Sequence, residues 1–169
     1  MTLPFDKIMF KSALVVTAQW DFGLAIQKLL ESNPEQWNRL RAEKAVLDYQ
    51  RYMAVTKALG GIQLVPNADI DEIWHMHILD TRAYMKDCEA LFGEFLHHYP
   101  YFGMLSEENQ QEWLSVQAQS EQLWLSLFDQ PLYSGDSVAQ KCPQACPCHI
   151  EQLSLRGSSV IASEISKSA

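Results

Sequence analysis

The sequence predicts an all-α protein. Its apolar residues recur mainly at intervals of three and four, which places them on one face of a helix. No pair of alternating segments flanks a tight turn as in a β-hairpin, and no internal repeat is present. The 169 residues are 47% hydrophobic, which suits one domain with its own core. We expect a single compact domain of four or five helices over residues 1–133 and a flexible, Ser-rich tail over residues 134–169.

The first helical region covers residues 6–17 and 22–31. Both stretches carry apolar residues at helical spacing. The Asp-Phe-Gly sequence at residues 21–23 offers a break, so the region is either continuous or divided into two short helices. The turn-forming sequence Ser-Asn-Pro at residues 32–34 ends it.

A second helix is predicted from Glu35 to Leu59. Asn33 can accept hydrogen bonds from its first turn, and Pro34 takes the first helical position that proline favours. A Gly-Gly pair follows Leu59 and stops the helix.

Two helices follow the short extended link after the Gly-Gly pair. Asp69, with Glu72 three residues later, has the form of a capping box and predicts a helix from about Ile70. Asp80 either ends this helix or caps the next one. The next helix is expected to continue through Phe95 toward a pair of histidines.

The last helix is predicted over residues 106–128. Pro100 disfavours helical geometry at Tyr99, so the Tyr-Pro-Tyr-Phe-Gly sequence there is expected to be a loop. Ser106 is a favoured cap, and the apolar residues after it fall on one side of a long helix.

Charge is distributed unevenly along the chain, whose formal net charge is −8. Residues 61–140 carry two Lys or Arg against thirteen Asp or Glu, whereas residues 1–60 carry eight against six. A face built from the middle stretch would repel phosphate backbones, which argues against nucleic acid as a partner. Such a face is either a solvated acidic surface or one that attracts cations or a basic protein partner.

Membrane insertion and export are not predicted either. No apolar run approaches the roughly 20 residues that span a bilayer, and the N-terminus lacks the basic start and apolar stretch of a signal peptide. We therefore expect a cytoplasmic protein with no membrane partner. Thiols stay reduced in that compartment, so clustered cysteines favour metal binding or redox chemistry over structural disulfides.

Four of the five histidines lie in one central stretch together with several carboxylates. Imidazole nitrogens and carboxylate oxygens are common ligands of zinc and iron. On a regular helix His75 and His77 project about 200° apart and cannot bind one ion together, whereas Asp71 and His75 share a face. The sequence predicts a zinc or iron site with His75 and His98 as principal ligands. Asp71, His77 and His97 are candidates for further ligands or for groups that orient the ligands.

Two other interpretations of these histidines remain open. Two Glu-x-x-His pairs have the spacing found in di-iron helix bundles, and two more glutamates would complete such a centre. The side chains concerned are Glu72, His75, Glu94, His97, Glu43 and Glu112. Alternatively, the histidines are partly buried polar groups that hydrogen-bond carboxylates and helix ends.

These interpretations correspond to three functional hypotheses. The first is metal binding or handling without a defined reaction, and the second is a non-enzymatic interaction module in which the histidine and aromatic motif is a structural clasp. The third is a small metal-dependent hydrolase or oxygenase acting on a small-molecule ligand. The chain contains no Gly-x-Ser-x-Gly elbow, phosphate loop or His-Glu-x-x-His motif that would indicate a particular reaction.

The predicted tail contains a second possible metal site. Cys142, Cys146, Cys148 and His149 supply three thiols and an imidazole within eight residues, which are ligand types for zinc or copper(I). The spacing differs from that of a zinc finger, and reversible disulfide chemistry is an alternative. Cys88, by contrast, falls on the apolar side of its helix and is expected to be a small buried residue.

Two strings in the central stretch carry a family resemblance. They are Asp71-Glu-Ile-Trp-His-Met-His-Ile-Leu-Asp-Thr81 and Leu96-His-His-Tyr-Pro-Tyr-Phe-Gly103. Over residues 64–104 the chain resembles bacterial members of the glycine-rich-domain-containing-protein-like family. The resemblance implies a helical fold and a shared site, but no activity. The glycine-rich region of larger relatives is missing, because the chain has only seven glycines.

Overall fold

The computed structural model describes residues 4–134, and within them the chain forms six α-helices and no β-strand. The prediction of an all-α fold is confirmed. The helices are α1 (Lys7–Thr17), α2 (Gly23–Ser32), α3 (Arg39–Ala58), α4 (Ala68–Leu79), α5 (Thr81–Phe92) and α6 (Glu107–Phe128). The described chain has six helices because it leaves helical geometry at both predicted break points. One break lies between α1 and α2, and the other is at Asp80, between α4 and α5. None of these helices is both long and apolar enough to cross a membrane.

The described chain divides into two units. The first comprises residues 4–98 and 116–134 and holds α1 to α5 with the C-terminal part of α6; the second comprises residues 99–115. The first unit contains the core, and its largest fully buried side chains are Trp74, Trp124, Tyr49, Tyr52 and Tyr84. Helix α3 packs against α1, α2 and α4. Five consecutive residues of α3, at positions 52–56, are buried, which shows that α3 is covered on all sides there.

Helix α3 begins four residues later than the predicted start at Glu35. Its cap is Asn38, whose side-chain oxygen accepts a hydrogen bond from the Arg41 amide at 2.9 Å. The carbonyl of Asn33, the predicted cap, accepts from the amides of Gln36 and Trp37 in a separate turn. The Asn-Pro sequence therefore starts a turn that precedes the helix.

Helix α4 begins two residues before its predicted start, and the capping box at Asp69 was wrong. Asn67 is the cap, and its oxygen accepts from the Ile70 amide at 2.8 Å. The side-chain amide of Asn67 also donates to the carbonyl of Leu132 at 2.9 Å. The Asp69 carboxylate instead pairs with Arg41, at 2.7 Å. A tertiary ion pair thus takes the carboxylate that the local pattern assigned to the cap.

Helix α5 ends at Phe92, so the prediction that it continues through Phe95 was wrong. Gly93 follows with φ = 78°, in the left-handed region that glycine tolerates and that commonly ends helices. The residues from 94 to 99 are not helical. The chain turns away from α5 at Gly93 and delivers His98 to α4, where the hydrogen bond between His98 and Asp71 holds it.

Replacing Gly93 by Ala should lower the free energy of unfolding by about 1–2 kcal/mol, because L-residues other than Asn and Asp are disfavoured in the left-handed region. A Cβ at this position would meet no atom within 4 Å, so the cost is one of backbone conformation. Urea denaturation measures the change. Gly93→Asn is the matched control and should lose less stability, since Asn adopts this region more readily. Equal stability of Gly93→Ala and the wild type would contradict the turn.

Candidate metal centre

Asp71, His75 and His98 form one cluster. Each offers a ligand atom, and the three atoms lie within 4.8 Å of one another. The Nε2 atom of His98 is 3.0 Å from Oδ1 of Asp71, and Nε2 of His75 is 3.8 Å from the same oxygen. Among the described residues, this is the group of His, Cys, Asp and Glu side chains whose spacing fits a metal ion.

The cluster joins two parts of the chain. Asp71 and His75 are one helical turn apart on α4 and therefore project from the same face. His98 comes from the non-helical segment after Gly93. The imidazoles of His75 and His98 stack with their centroids 4.9 Å apart, and the indole of Trp74 packs on His98 at 4.3 Å. These two neighbouring rings leave His98 little freedom to rotate.

Burial decreases across the cluster. The side chain of His98 is 14% exposed, that of Asp71 is 22% exposed and that of His75 is 47% exposed. His75 thus forms the solvent-facing side of the cluster. An ion held by these three residues would be accessible to water or a small ligand on that side.

The distances are close to those of a metal site. Ligand atoms about 2.1 Å from a tetrahedral zinc ion lie about 3.4 Å from one another, and the two separations that involve Oδ1 of Asp71 are 3.0 and 3.8 Å. An ionised carboxylate only accepts hydrogen bonds, so Nε2 of His98 donates its proton to Asp71 when no metal is bound. A bound metal ion would take the place of this proton. Nε2 of His98 and Oδ1 of Asp71 would then be metal ligands instead of hydrogen-bond partners.

His77 faces the opposite way from His75, as the helical spacing predicted. It is buried on α4, with Nδ1 3.0 Å from the hydroxyl of Tyr49 and Nε2 3.2 Å from the Asp87 carboxylate. The carboxylate requires a donor, so Nε2 carries the proton and Nδ1 accepts from the Tyr49 hydroxyl. The structure therefore does not bring His77 into the cluster, and its polar atoms are occupied by partners on α3 and α5.

Aromatic rings surround His77 and contribute to its burial. The rings within 6 Å of its centroid belong to Trp20, Phe22, Tyr49 and Tyr84. Burial lowers the pKa of His77 below its ordinary value, although Asp87 opposes this shift by its charge and its hydrogen bond. Burial also raises the pKa of Tyr49, which therefore remains a neutral phenol that can donate to His77.

His97 is exposed and lies outside the cluster, with its ring 5.0 Å from that of Phe95. The helical Glu94-x-x-His97 pair of the di-iron hypothesis does not exist, because both residues follow the end of α5. Glu43, another candidate for that centre, pairs with Arg39 at 3.4 Å. Cys88 is fully buried, as expected, and burial raises the pKa of its thiol.

The second predicted metal site lies outside the described residues. It comprises Cys142, Cys146, Cys148 and His149, and zinc or copper(I) binding there remains a prediction.

Several residues that hold the central histidines in place were not predicted to do so from the sequence. Tyr49 and Asp87, the partners of His77, are 28 and 10 residues away from it along the chain. Tyr84 and Gln63, which hydrogen-bond the backbone of the segment before His98, looked like core and linker residues. No local pattern identifies a contact that depends on how two helices pack.

One family model matches the chain. Its description is UCP032817-like, and the match covers residues 11–121, which include Asp71, His75 and His98. The match does not confirm the resemblance to glycine-rich-domain-containing proteins or the motifs cited for it. No curated protein and no solved structure gives a significant match.

The stability of the protein should fall as the pH drops below about 6.5, in part because of His77. In the unfolded chain His77 takes up a proton near its ordinary pKa, whereas in the folded protein its pKa is lower. Below pH 6.5 the unfolded state therefore binds more protons than the folded state. The free energy of unfolding decreases there. Urea denaturation at pH 7.5 and pH 5.5 measures this loss.

His77→Gln is the variant that isolates this effect. It removes the titrating group while keeping an amide that can replace part of the hydrogen bonding, so the difference in stability between the two pH values should shrink. At pH 7.5 the variant should lose about 1–3 kcal/mol, because Tyr49 or Asp87 is left without a partner. An unchanged pH dependence would show that His77 is protonated equally in both states.

Proposed function

The chain belongs to the UCP032817-like family, and we propose that it is a metal-binding protein whose ligands are Asp71, His75 and His98. The observation that carries this proposal is the convergence of three ligand atoms within 4.8 Å from two separate parts of the chain. Two of the three come from one face of α4, and the third is brought in by the turn at Gly93.

Zinc or ferrous iron is the ion that we propose. Two imidazoles and one carboxylate are ligand types shared by catalytic zinc sites and by the non-haem iron sites of oxygenases. Both kinds of site use three protein ligands and leave positions open for water or substrate. The half-exposed side chain of His75 supports such an open site, since solvent reaches the cluster on that side.

A metal-dependent hydrolase or oxygenase is the enzymatic form of this proposal. The open side of the cluster is the observation in its favour, because a bound water or small molecule could be activated there. Within the described residues no further His, Cys, Asp or Glu side chain joins the three ligands in this group.

A structural clasp is the second candidate function. The hydrogen bond of His98 to Asp71 at 3.0 Å and the packing of Trp74 on His98 join the segment after α5 to α4 without requiring an ion. In this form the protein would act as an interaction module. Its acidic middle stretch, with thirteen Asp or Glu against two Lys or Arg, favours a basic protein partner and disfavours nucleic acid.

We also propose a cytoplasmic location. The free thiol of Cys88 is compatible with a reducing compartment, and no helix among residues 4–134 could cross a membrane.

Metal titration tests the proposed site. The protein, purified without an affinity tag and stripped with a chelator, should bind about one equivalent of zinc or ferrous iron at the cluster. The experiment uses a variant with Cys142, Cys146 and Cys148 changed to Ser, so that binding to the tail is not counted. In this background His75→Ala, His98→Ala and Asp71→Asn should each weaken binding by more than about tenfold.

His97→Ala is the matched control for that titration. It removes an imidazole adjacent to His98 that lies outside the cluster, so binding should stay at the level of the background protein. Equal losses in His97→Ala and His98→Ala, or no binding by the background protein, would overturn the proposed site.

Thermal and urea unfolding separate the metal site from the clasp. If the ion stabilises the fold, a chelator should lower the free energy of unfolding of the loaded wild type by about 3 kcal/mol at a hundredfold excess of metal over its dissociation constant. If only the clasp operates, the chelator changes nothing. His98→Ala should then cost the metal-free protein about 1–3 kcal/mol, because Asp71 loses its donor.

A further inference from the structure

The backbone on the N-terminal side of His98 is held by two side chains. The hydroxyl of Tyr84 donates to the carbonyl of Leu96 at 2.6 Å, and the side-chain amide of Gln63 donates to the carbonyl of His97 at 2.7 Å. These are the two carbonyls that immediately precede His98. Since the segment is not helical, such side-chain bonds replace the backbone bonds that would otherwise fix its path.

Tyr84 is itself fixed on both sides of its hydroxyl. It lies on α5, is fully buried, and accepts a hydrogen bond from Nε1 of Trp74 at 2.9 Å while it donates to Leu96. Burial raises the pKa of Tyr84, so the phenol keeps the proton that it donates.

These contacts form a closed circuit, which runs from His98 through Trp74, Tyr84 and the Leu96 carbonyl back to His98. The indole that donates to Tyr84 also packs against the imidazole of His98, with ring centroids 4.3 Å apart. Tyr84 therefore reaches His98 by two routes, through the ring of Trp74 and through the backbone at Leu96. Displacement of the Tyr84 hydroxyl would disturb both the position and the tilt of the imidazole.

We propose that Tyr84 is a positioning residue for His98 as a metal ligand, with Gln63 as a second anchor of the same segment. This inference rests on the proposed metal site at Asp71, His75 and His98. Metal affinity depends on ligand atoms that are held in place before the ion arrives, and residues behind the ligands supply that order. Neither Tyr84 nor Gln63 would touch the ion.

A pair of Tyr→Phe variants tests the proposal. Tyr84→Phe removes the hydroxyl in the circuit and keeps the ring. Tyr133→Phe is the matched control, because the hydroxyl of Tyr133 also donates to a backbone carbonyl, that of Val65, at 2.6 Å, and this bond takes no part in the circuit. Burial raises the pKa of Tyr133 as well, so both variants remove the hydroxyl of a neutral phenol.

The measurement is titration with cobalt(II) alone, in the background without the tail cysteines, followed by the absorption bands of the bound ion. Tyr84→Phe should weaken cobalt binding by about 10-fold to 100-fold and alter the band positions, because His98 is displaced. Tyr133→Phe should bind with the affinity and spectrum of the background protein. Circular dichroism at the titration temperature establishes that both variants are folded.

A purely structural role for Tyr84 gives a different result. Tyr84→Phe would then lower the stability of the metal-free protein while the cobalt affinity and spectrum stay unchanged, and the proposal would be overturned. If Tyr84→Phe does not fold, Gln63→Ala decides. Weaker cobalt binding and altered bands support the anchoring of the segment, and unchanged binding overturns it.

The titrations distinguish loss of the positioning role of Tyr84 and Gln63 from loss of the metal site itself. A background protein that binds no cobalt, zinc or ferrous iron overturns both. A background protein that binds cobalt and loses it in His75→Ala and His98→Ala, but not in Tyr84→Phe or Gln63→Ala, retains the metal site and loses only the positioning role.

Discussion

The hydrogen bond between His98 and Asp71 is the interaction on which the cluster depends. It joins residues 27 positions apart and holds the segment after α5 against the first half of α4. Without it, the non-helical stretch that begins at Gly93 would keep the hydrogen bonds to its carbonyls and the packing of His98 on Trp74, but His98 would lose its hydrogen bond to α4. The same two atoms can share a proton or a metal ion, so the bond that closes this part of the fold is also the core of the proposed site.

Helix α4 carries two histidines with opposite roles because its two faces have different surroundings. His77 faces the core, where burial disfavours its charged form and where Tyr49 and Asp87 satisfy both ring nitrogens. His75 is half exposed and faces Asp71 and His98. The imidazole of His77 has a partner for each ring nitrogen on one side of α4, and the other side carries His75, which belongs to the proposed metal site.

A chain of contacts supports the cluster on the His98 side. His98 packs against Trp74, Trp74 donates to Tyr84, and Tyr84 donates to the backbone that leads back to His98. This side of the cluster is more buried, whereas the His75 side is open to solvent. An arrangement with one buried side and one open side suits a site that holds an ion while exchanging a water or small ligand, and it gives the UCP032817-like family a concrete chemical hypothesis.

The sequence by itself determined the all-α class, the break at Asp80 and the separation of His75 from His77, because these follow from the 3.6-residue period and from turn-forming residues that act locally. It also placed Asp71 and His75 on one face. The sequence named His98 as a principal ligand and kept His97 as a further candidate; only the tertiary structure decided that His97 lies outside the cluster, because that depends on where α5 ends and on the path of the chain after Gly93. The partners of His77 likewise could not be predicted from local sequence spacing, since they lie on α3 and α5. Asp69 shows the same limit: its spacing fits a helix cap, but its carboxylate pairs with an arginine 28 residues away, and Asn67 caps the helix instead.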